Sequence, residues 1–452
     1  MNGRKLVNYA VVVIVTAIVV GAGTYFAIPP KEVTKTVTQT ITATAVVTTP
    51  PTTPKLAGKI VLYAPAWGVN GSLDLVKLYN KERPDVTVEV IRGPSVWDEH
   101  VTRNTVWMRE KYSGVDVLYN DDVFTLDGAL GGNWVKLDDY FTSEEKAMLT
   151  DLQQHFMNAH GGLYRIAWGN GGSYVYYRKD LFAKEGVSPP KTWDEFIDVA
   201  KKLTKDLDGD GKIDQWGYVT QGTPGEMYNT YNEFLHQAGG DEWKLAPGGV
   251  PDPTAKKALQ FLYDLEHTYK IMPPGITAIG YTESNAMLKE GKAAMLRGWG
   301  DLGATIVSSW GMGDVIGAMN FPAGDGGPWG IGHSWGYVVN AYGKNKDLAI
   351  DFVKFCFLNI EAQKIMAKAY EAPAIKSLYQ DAAFMADLAK SNVAAAHFEE
   401  FFKWRFPRKF PAGKSVEYHE AYGREISRAL TGEASIDEAL IAAQKAIDPL
   451  LP

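Results

Sequence analysis

The sequence predicts an α/β protein of two lobes built on mostly parallel sheets, and three observations carry that expectation. Roughly 400 residues follow Pro54, more than one hydrophobic core usually serves, so two lobes of roughly 200 residues each are expected. Hydrophobic residues make up 46% of the chain, aromatic residues 12% and charged residues 22%, which supplies enough apolar material for packed cores and excludes disorder of the body. Short apolar strands alternate with helical segments, the pattern of βαβ units with right-handed crossovers.

The N-terminal elements come first in the chain. Residues 1–5 include Arg4 and Lys5, and residues 6–28 (LVNYAVVVIVTAIVVGAGTYFAI) carry no charge. As a helix this run would span roughly 34 Å, enough to cross a hydrocarbon layer. Lys31 and Glu32 cancel just after it, so the positive-inside bias puts residues 1–5 in the cytoplasm and the body outside, anchored at the cell surface by 6–28. The competing reading is a signal segment cleaved near Gly21, Ala22 and Gly23, although the run is longer than a usual signal core. Residues 29–57 then form a Thr/Pro-rich stalk: ten threonines lie between Thr34 and Thr53, a composition that builds no core and suits an O-glycosylated spacer.

In the body, residues 59–65 (KIVLYAP), 86–91 (VTVEVI) and 115–119 (VDVLY) read as strands, with helices near 72–80 and 97–111 between them. Ligands of such sheets sit beyond the carboxyl ends of the strands, which directs attention to the loops 66–71 (AWGVNG) and 120–122 (NDD). Thr192-Trp193-Asp194-Glu195 reads as a helix start with a capping box, Thr192 capping the backbone and Glu195 reaching back.

Composition closes off several function classes. The 46 basic and 53 acidic residues give a formal charge of −7 with no long basic run, so nucleic acid is not an expected partner. The single cysteine, Cys356, excludes an intramolecular disulfide and a Cys-based zinc cluster, and is expected to sit inward in a helix around 350–358. No HExxH or Walker pattern is present. Residues 206–214 (DLDGDGKID) place Asp206, Asp208, Asp210, Lys212 and Asp214 at the alternate positions of an EF-hand-type calcium loop, with Gly211 at its sixth. Position twelve is Gly217, so the usual bidentate Glu is missing, and an Asx-turn-rich loop is the alternative. No cofactor is required; a structural Ca²⁺ here is the one candidate.

Three ordered stretches carry a resemblance. The first is Tyr176-Tyr177-Arg178-Lys179-Asp180-Leu181-Phe182, then Gly186, Pro189-Pro190 and Lys191-Thr192-Trp193-Asp194-Glu195-Phe196, with Ala200-Lys201-Lys202-Leu203-Thr204. The second is Leu288-Lys289-Glu290-Gly291-Lys292-Ala293-Ala294-Met295 with Gly298 and Trp299, and the third runs from Ser334-Trp335-Gly336-Tyr337-Val338-Val339 through Ala349 and Phe352 to Glu361, Gln363 and Pro373. Together they resemble extracellular sugar-binding proteins of ABC importers, the maltose-binding protein superfamily, over essentially all of residues 58–452. The resemblance implies a two-lobe periplasmic-binding-protein-like fold (type II) with hinge strands and a ligand cleft between the lobes. Lobe one would take 58–168 and 327–372, and lobe two 169–326 and 373–452. The anchor and stalk resemble the surface-anchored archaeal arrangement.

A sugar presents apolar CH faces and many hydroxyls, so its cleft needs flat aromatics and carboxylates or amides. Among thirteen tryptophans, those flanked by Gly in expected loops are candidates: Trp67, Trp168 with Asn170 and Ser173 beside it, and Trp335. Trp299, with Asp301, matches the family's stacking tryptophan. Asp121 and Asp122 follow the third strand, where the family places a sugar-binding carboxylate; capping the next helix is their alternative. Tyr228, Asn229, Asn232, Tyr418 and His419 fall at further family contact clusters. Asn70 heads an Asn-Gly-Ser acceptor, but a place at the cleft mouth argues for ligand contact instead.

These features point to an extracellular substrate-binding component of an ABC importer, not an enzyme. Its expected body is monomeric, and it passes a sugar or oligosaccharide to permease subunits served by a cytoplasmic ATPase. The alternative is an exported carbohydrate-active hydrolase, which would need two cleft carboxylates at catalytic spacing; a purely structural surface-layer protein is a third reading.

Overall fold

A computed structural model of the chain describes residues 56–95, 97–398, 402–411 and 413–451. The anchor (6–28) and nearly all of the stalk lie outside the described residues. Among the described residues no helix is long and apolar enough to cross a membrane.

Among the described residues, twelve strands fall into two sheets: β1 (Gly58–Ala64), β2 (Val86–Arg92), β3 (Val117–Asp121), β4 (Arg165–Ala167), β5 (Gly169–Arg178), β6 (Trp216–Val219), β7 (Ala293–Trp299), β8 (Ile316–Met319), β9 (Gly330–His333), β10 (Trp335–Val339), β11 (Ala372–Pro373) and β12 (Arg405–Pro407). The first sheet has the order β2-β1-β3-β10-β4. β1 pairs in parallel with β2 and β3, as two βαβ units through α1 (Val69–Glu82) and α2 (Trp97–Glu110) require. α1 buries Val69, Leu75, Val76 and Tyr79 at helical spacing, and the Tyr79 hydroxyl donates to Asp351 at 2.7 Å on the helix Lys346–Leu358. That helix also holds Cys356 buried and free.

The second sheet corrects the expectation of mostly parallel strands. Its central strand β5 runs antiparallel to β7, β8, β9 and β11, and only the pairs β6–β7 and β9–β12 are parallel. Direction of entry explains the difference. β5 comes from the other lobe and runs outward, with Ser173 opposite Trp299 at the inner end of β7. β10 enters the first sheet the same way, antiparallel to β3 with Trp335 opposite Asp121. Strands that cross between lobes therefore oppose strands that run toward the cleft, and both sheets are mixed.

Three segments cross between the sheets: β4 to β5 at Trp168, β9 to β10 at Ser334, and the stretch around β11. Trp168 N–H donates to Trp335 O at 2.9 Å and ties the first two crossings together. Residues 330–333 pair with β5 and β12, so the return to the first sheet falls at Ser334 and not near 327.

Smaller expectations shift as well. α1 begins at Val69, which puts Asn70 and Gly71 in its first turn instead of a loop. β3 extends to Asp121 and α3 (Asp122–Leu130) starts at once, so residues 120–122 are a strand-to-helix junction. Thr192 Oγ1 accepts from Glu195 N–H at 3.3 Å, but the Glu195 carboxylate accepts from Lys191 N–H at 2.7 Å, one residue before the expected partner. Glu195 thus caps the peptide before the N-cap instead of the N-cap itself. The preceding helix Lys179–Glu185 stops at Gly186, whose φ of 61° a side chain would strain.

Candidate functional site

The inner ends of β1, β3 and β10 meet those of β5, β7 and β9, and side chains from both lobes converge there. On the first-lobe side an aromatic wall forms. Trp67 lies 5.5 Å from Trp335 and 5.6 Å from His100, ring centre to ring centre, and Trp97 from α2 lies 5.8 Å from Trp335. Trp67 keeps 36% of its surface exposed, whereas Trp335 is nearly buried against Tyr119. Burial pushes the His100 imidazole down to about 3, so this wall carries no charge from it.

Asp121 and Asp122 sit beside this wall and are almost fully buried. Asp121 is the N-cap of α3, its Oδ1 accepting from Val123 N–H at 2.6 Å. Its Oδ2 accepts from Arg408 Nη2 at 2.9 Å, and Arg408 also engages both oxygens of Asp122, with Nε 3.2 Å from Oδ2. Arg408 follows β12 in the second lobe, so this fork spans the cleft. Burial raises the Asp121 carboxyl to about 6 against the opposing pull of Arg408. A second interlobe contact lies nearby: Asp127 on α3 accepts from Ser415 Oγ at 2.7 Å and from Ser415 N–H at 3.0 Å, at the start of the helix Ser415–Leu430.

The second-lobe wall is built on β7 and the hinge. Trp299 lies with the Arg297 guanidinium 4.0 Å from its ring centre and His333 4.7 Å away. Arg297 is fully buried and paired with Glu233 at 2.9 Å, which fixes the platform under Trp299. Asp301 Oδ2 accepts from Tyr281 OH at 3.1 Å, while its Oδ1 is buried with no partner. Glu371, beside β11, accepts from Gly172 N–H at 2.7 Å, its Oε1 3.6 Å from His333 Nε2 and otherwise unpartnered. Burial, then the charge of Asp301, pushes Glu371 well above the usual carboxylate range, and burial holds the His333 imidazole uncharged.

The structure therefore brings Trp67, Trp335, Asp121, Asp122, Trp299 and Asp301 to the region where the two lobes meet, with Asn70 exposed on α1. Other candidates lie inside the packed lobes. Trp168 is 1% exposed, wedged between Tyr119 and Tyr337, because Gly71 lets α1 approach it; a Cβ there would lie 2.6 Å from the indole. Its glycine neighbours serve a close packing and do not expose the ring. Asn170 is buried at the hinge, accepting from Thr150 and Gln153, each at 2.9 Å, and Ser173 is buried against Glu233. Asn232, Tyr228 and Tyr418 are fully buried around Glu242, whose carboxylate accepts from Tyr228 OH at 2.5 Å. Asn229 and His419 are buried too, with Asn229 Oδ1 and His419 Nε2 unpartnered. Two small pockets, one lined by Phe156, His160 and Arg165 and the other by Trp193, Phe196 and Phe321, include none of these residues.

Sequence reasoning missed Arg408, His333, Glu371, Tyr281 and Trp97. Arg408 stands in no recognisable motif, 287 residues from Asp121. His333 precedes the Ser-Trp-Gly-Tyr stretch, and its adjacency to an expected crossing was the available signal.

In the loop 206–214 the carboxylates of Asp206, Asp208 and Asp210 come within 4.8 Å of one another and are exposed. Asp206 accepts from Gly209 and Gly211 N–H, which holds its carboxyl below the usual range. Asp214 turns to Leu207 N–H at 2.7 Å, and Lys212 Nζ lies 3.2 Å from Asp210. Asx turns therefore order the loop, and three carboxylates, not four, face one point.

The family model described as "Bacterial extracellular solute-binding protein" matches residues 70–363. A probable ABC transporter-binding protein of Deinococcus radiodurans is 30% identical over 311 residues, 65% of this chain and 70% of that protein. The mannitol-binding protein of Pseudomonas aeruginosa is 25% identical over 322 residues, 64% of this chain and 69% of that protein. Among solved structures, maltose-bound T. maritima MalE3 aligns over 87% of this chain and all of its own at a TM-score of 0.75 and 23% identity.

Proposed function

Because the chain belongs to the bacterial extracellular solute-binding protein family, it binds a solute and does not transform one, and we propose that the solute is a sugar, an oligosaccharide or a related polyol held between the lobes. The observation that carries the reading is the pairing of unlike walls: Trp67, backed by the nearly buried Trp335, offers an exposed ring on one lobe, and Trp299 and Asp301 a ring and a carboxylate on the other. Stacking on CH faces and hydrogen bonding to hydroxyls need that combination. The relatives that bind mannitol and maltose support the same class. The family assignment also displaces the alternative of an exported carbohydrate-active hydrolase.

Closure of the lobes around the solute is the mechanical step, with the three crossings as hinge. Delivery is to an ABC permease with its cytoplasmic ATPase, supported by the named transporter relative. Residues 6–28, uncharged and long enough to span a bilayer, are proposed to anchor the chain at the cell surface in the manner of archaeal forms, with the threonine-rich stalk as spacer. The acidic loop is proposed to hold a structural Ca²⁺, supported by the convergence of Asp206, Asp208 and Asp210.

A thermal-shift screen of the full chain against neutral mono-, oligosaccharides and polyols tests the ligand class. A ligand at a hundred times its dissociation constant stabilises by about 2.7 kcal/mol, which reads as a clear rise in Tm. No rise with any of them would argue against the class.

A further inference from the structure

Arg408 is placed where a cation could meet an anionic solute, yet its donors are committed. Nη2 donates to Asp121 Oδ2 at 2.9 Å and to Asp122, and Nε donates to Asp122 Oδ2 at 3.2 Å, all three side chains lying nearly out of water. Three further cations near the cleft are engaged too. Arg165 Nη1 donates to Ser334 O at 2.9 Å and to Thr125 Oγ1 at 3.2 Å, Arg297 is paired with Glu233, and Lys409 lies 3.3 Å from Asp241. An acceptor is left over: Asp301 Oδ1 is buried without a hydrogen-bond partner. Such a site offers hydroxyl groups a place to donate, and Arg408, Arg165, Arg297 and Lys409 are already committed where a phosphate or carboxylate would need them.

We propose that Arg408 is a specificity-determining residue of the cleft. Its fork holds Asp121 and Asp122 as one acceptor pair for the hydroxyls of an uncharged polyol or saccharide, and, saturated by them, it gives no grip to an anionic solute. The proposal rests on the solute-binding reading and deepens it to a charge class. Lysine would keep the charge but not the two-pronged geometry.

Two measurements on the full chain test it. The first is calorimetric titration at pH 7 with D-mannitol, maltose and maltotriose against sn-glycerol 3-phosphate and D-glucose 6-phosphate, for the natural chain, Arg408→Gln and Arg408→Lys, each checked for folding by circular dichroism. At least one neutral probe is expected to bind the natural chain and neither phosphate. Arg408→Gln is expected to weaken that binding about tenfold or more, with partial recovery in Arg408→Lys. The second is the carbon-13 titration of the Asp121 carboxyl without ligand. Asp121 is faced by Asp122, Arg408, Arg165, His333, Tyr119 and Tyr370. Removing the guanidinium leaves burial and Asp122 unopposed by it, so the midpoint should rise by about one pH unit or more.

A phosphate bound more tightly than every neutral probe, neutral binding unaltered in Arg408→Gln, or an unmoved Asp121 midpoint would each overturn the proposal. A natural chain that binds no probe counts against the solute-binding reading itself, and the Asp121 midpoint then decides separately whether Arg408 holds the pair.

Discussion

Asp127 of α3 accepts from both the hydroxyl and the backbone N–H of Ser415, so one carboxylate on the first lobe caps a helix on the second. Their contact lies beside the Arg408 fork and adds to the closed arrangement. Burial raises the Asp127 carboxyl, and the Ser415 donors oppose that rise.

Asp127→Ala should remove this tie without touching the ring walls. Loss of a helix cap costs about 0.5 to 2 kcal/mol, so affinity is expected to fall by about twofold to thirtyfold while the ligand preference is unchanged. Small-angle scattering should show a larger radius of gyration in the unliganded variant. An unaltered radius and affinity would mean that the contact does not bias closure.

Glu371→Gln should stabilise the fold at neutral pH. Burial and Asp301 lift this carboxyl well above its ordinary 4.5. Between that value and its folded pKa the folded chain keeps a proton that the unfolded chain has released, so natural stability falls as pH rises through this window. Glutamine still accepts from Gly172 and cannot ionise. Its advantage should be absent below pH 4.5 and grow above it by about 1.4 kcal/mol per pH unit until the folded carboxyl titrates. Melting curves from pH 4 to 8 check this; parallel curves for the two chains would count against it.

Trp67→Ala and Trp168→Ala should separate binding from stability. Trp67 is 36% exposed on the aromatic wall and Trp168 is 1% exposed in the core. The first should lose affinity about tenfold or more with little change in Tm. The second should cost about 3 to 5 kcal/mol of stability through the cavity it leaves. Similar melting losses in both would refute the division.

That division also shows what could be read from the chain. The alternation of strands and helices located β1, β2 and most of β3, because short-range patterning follows from side-chain period alone. Strand direction in the second sheet was not legible, since it depends on the chain entering from the other lobe. The same limit explains the site. Gly neighbours flagged both Trp67 and Trp168, but only the approach of Gly71 buries the second. Asp121 and Asp122 were visible at a strand end, whereas Arg408, 287 residues from Asp121, becomes their partner only through the crossing of lobes.

Chelation should report on the acidic loop. If Ca²⁺ neutralises Asp206, Asp208 and Asp210, excess EGTA lowers Tm, added calcium restores it, and Asp208→Asn removes most of the difference. An unchanged Tm would leave Asx turns as the loop's sole organisation.

Binding of an uncharged polyhydroxy solute between the lobes, with release of that solute unchanged, is the proposed activity. Its most direct test is calorimetric titration of the full chain with maltotriose, maltose and D-mannitol, with the recovered solute examined by proton NMR. Saturable heat at one site per chain is expected for at least one of these, with an identical spectrum afterwards. Absence of saturable heat with all three, or conversion of the solute to a product, would contradict it.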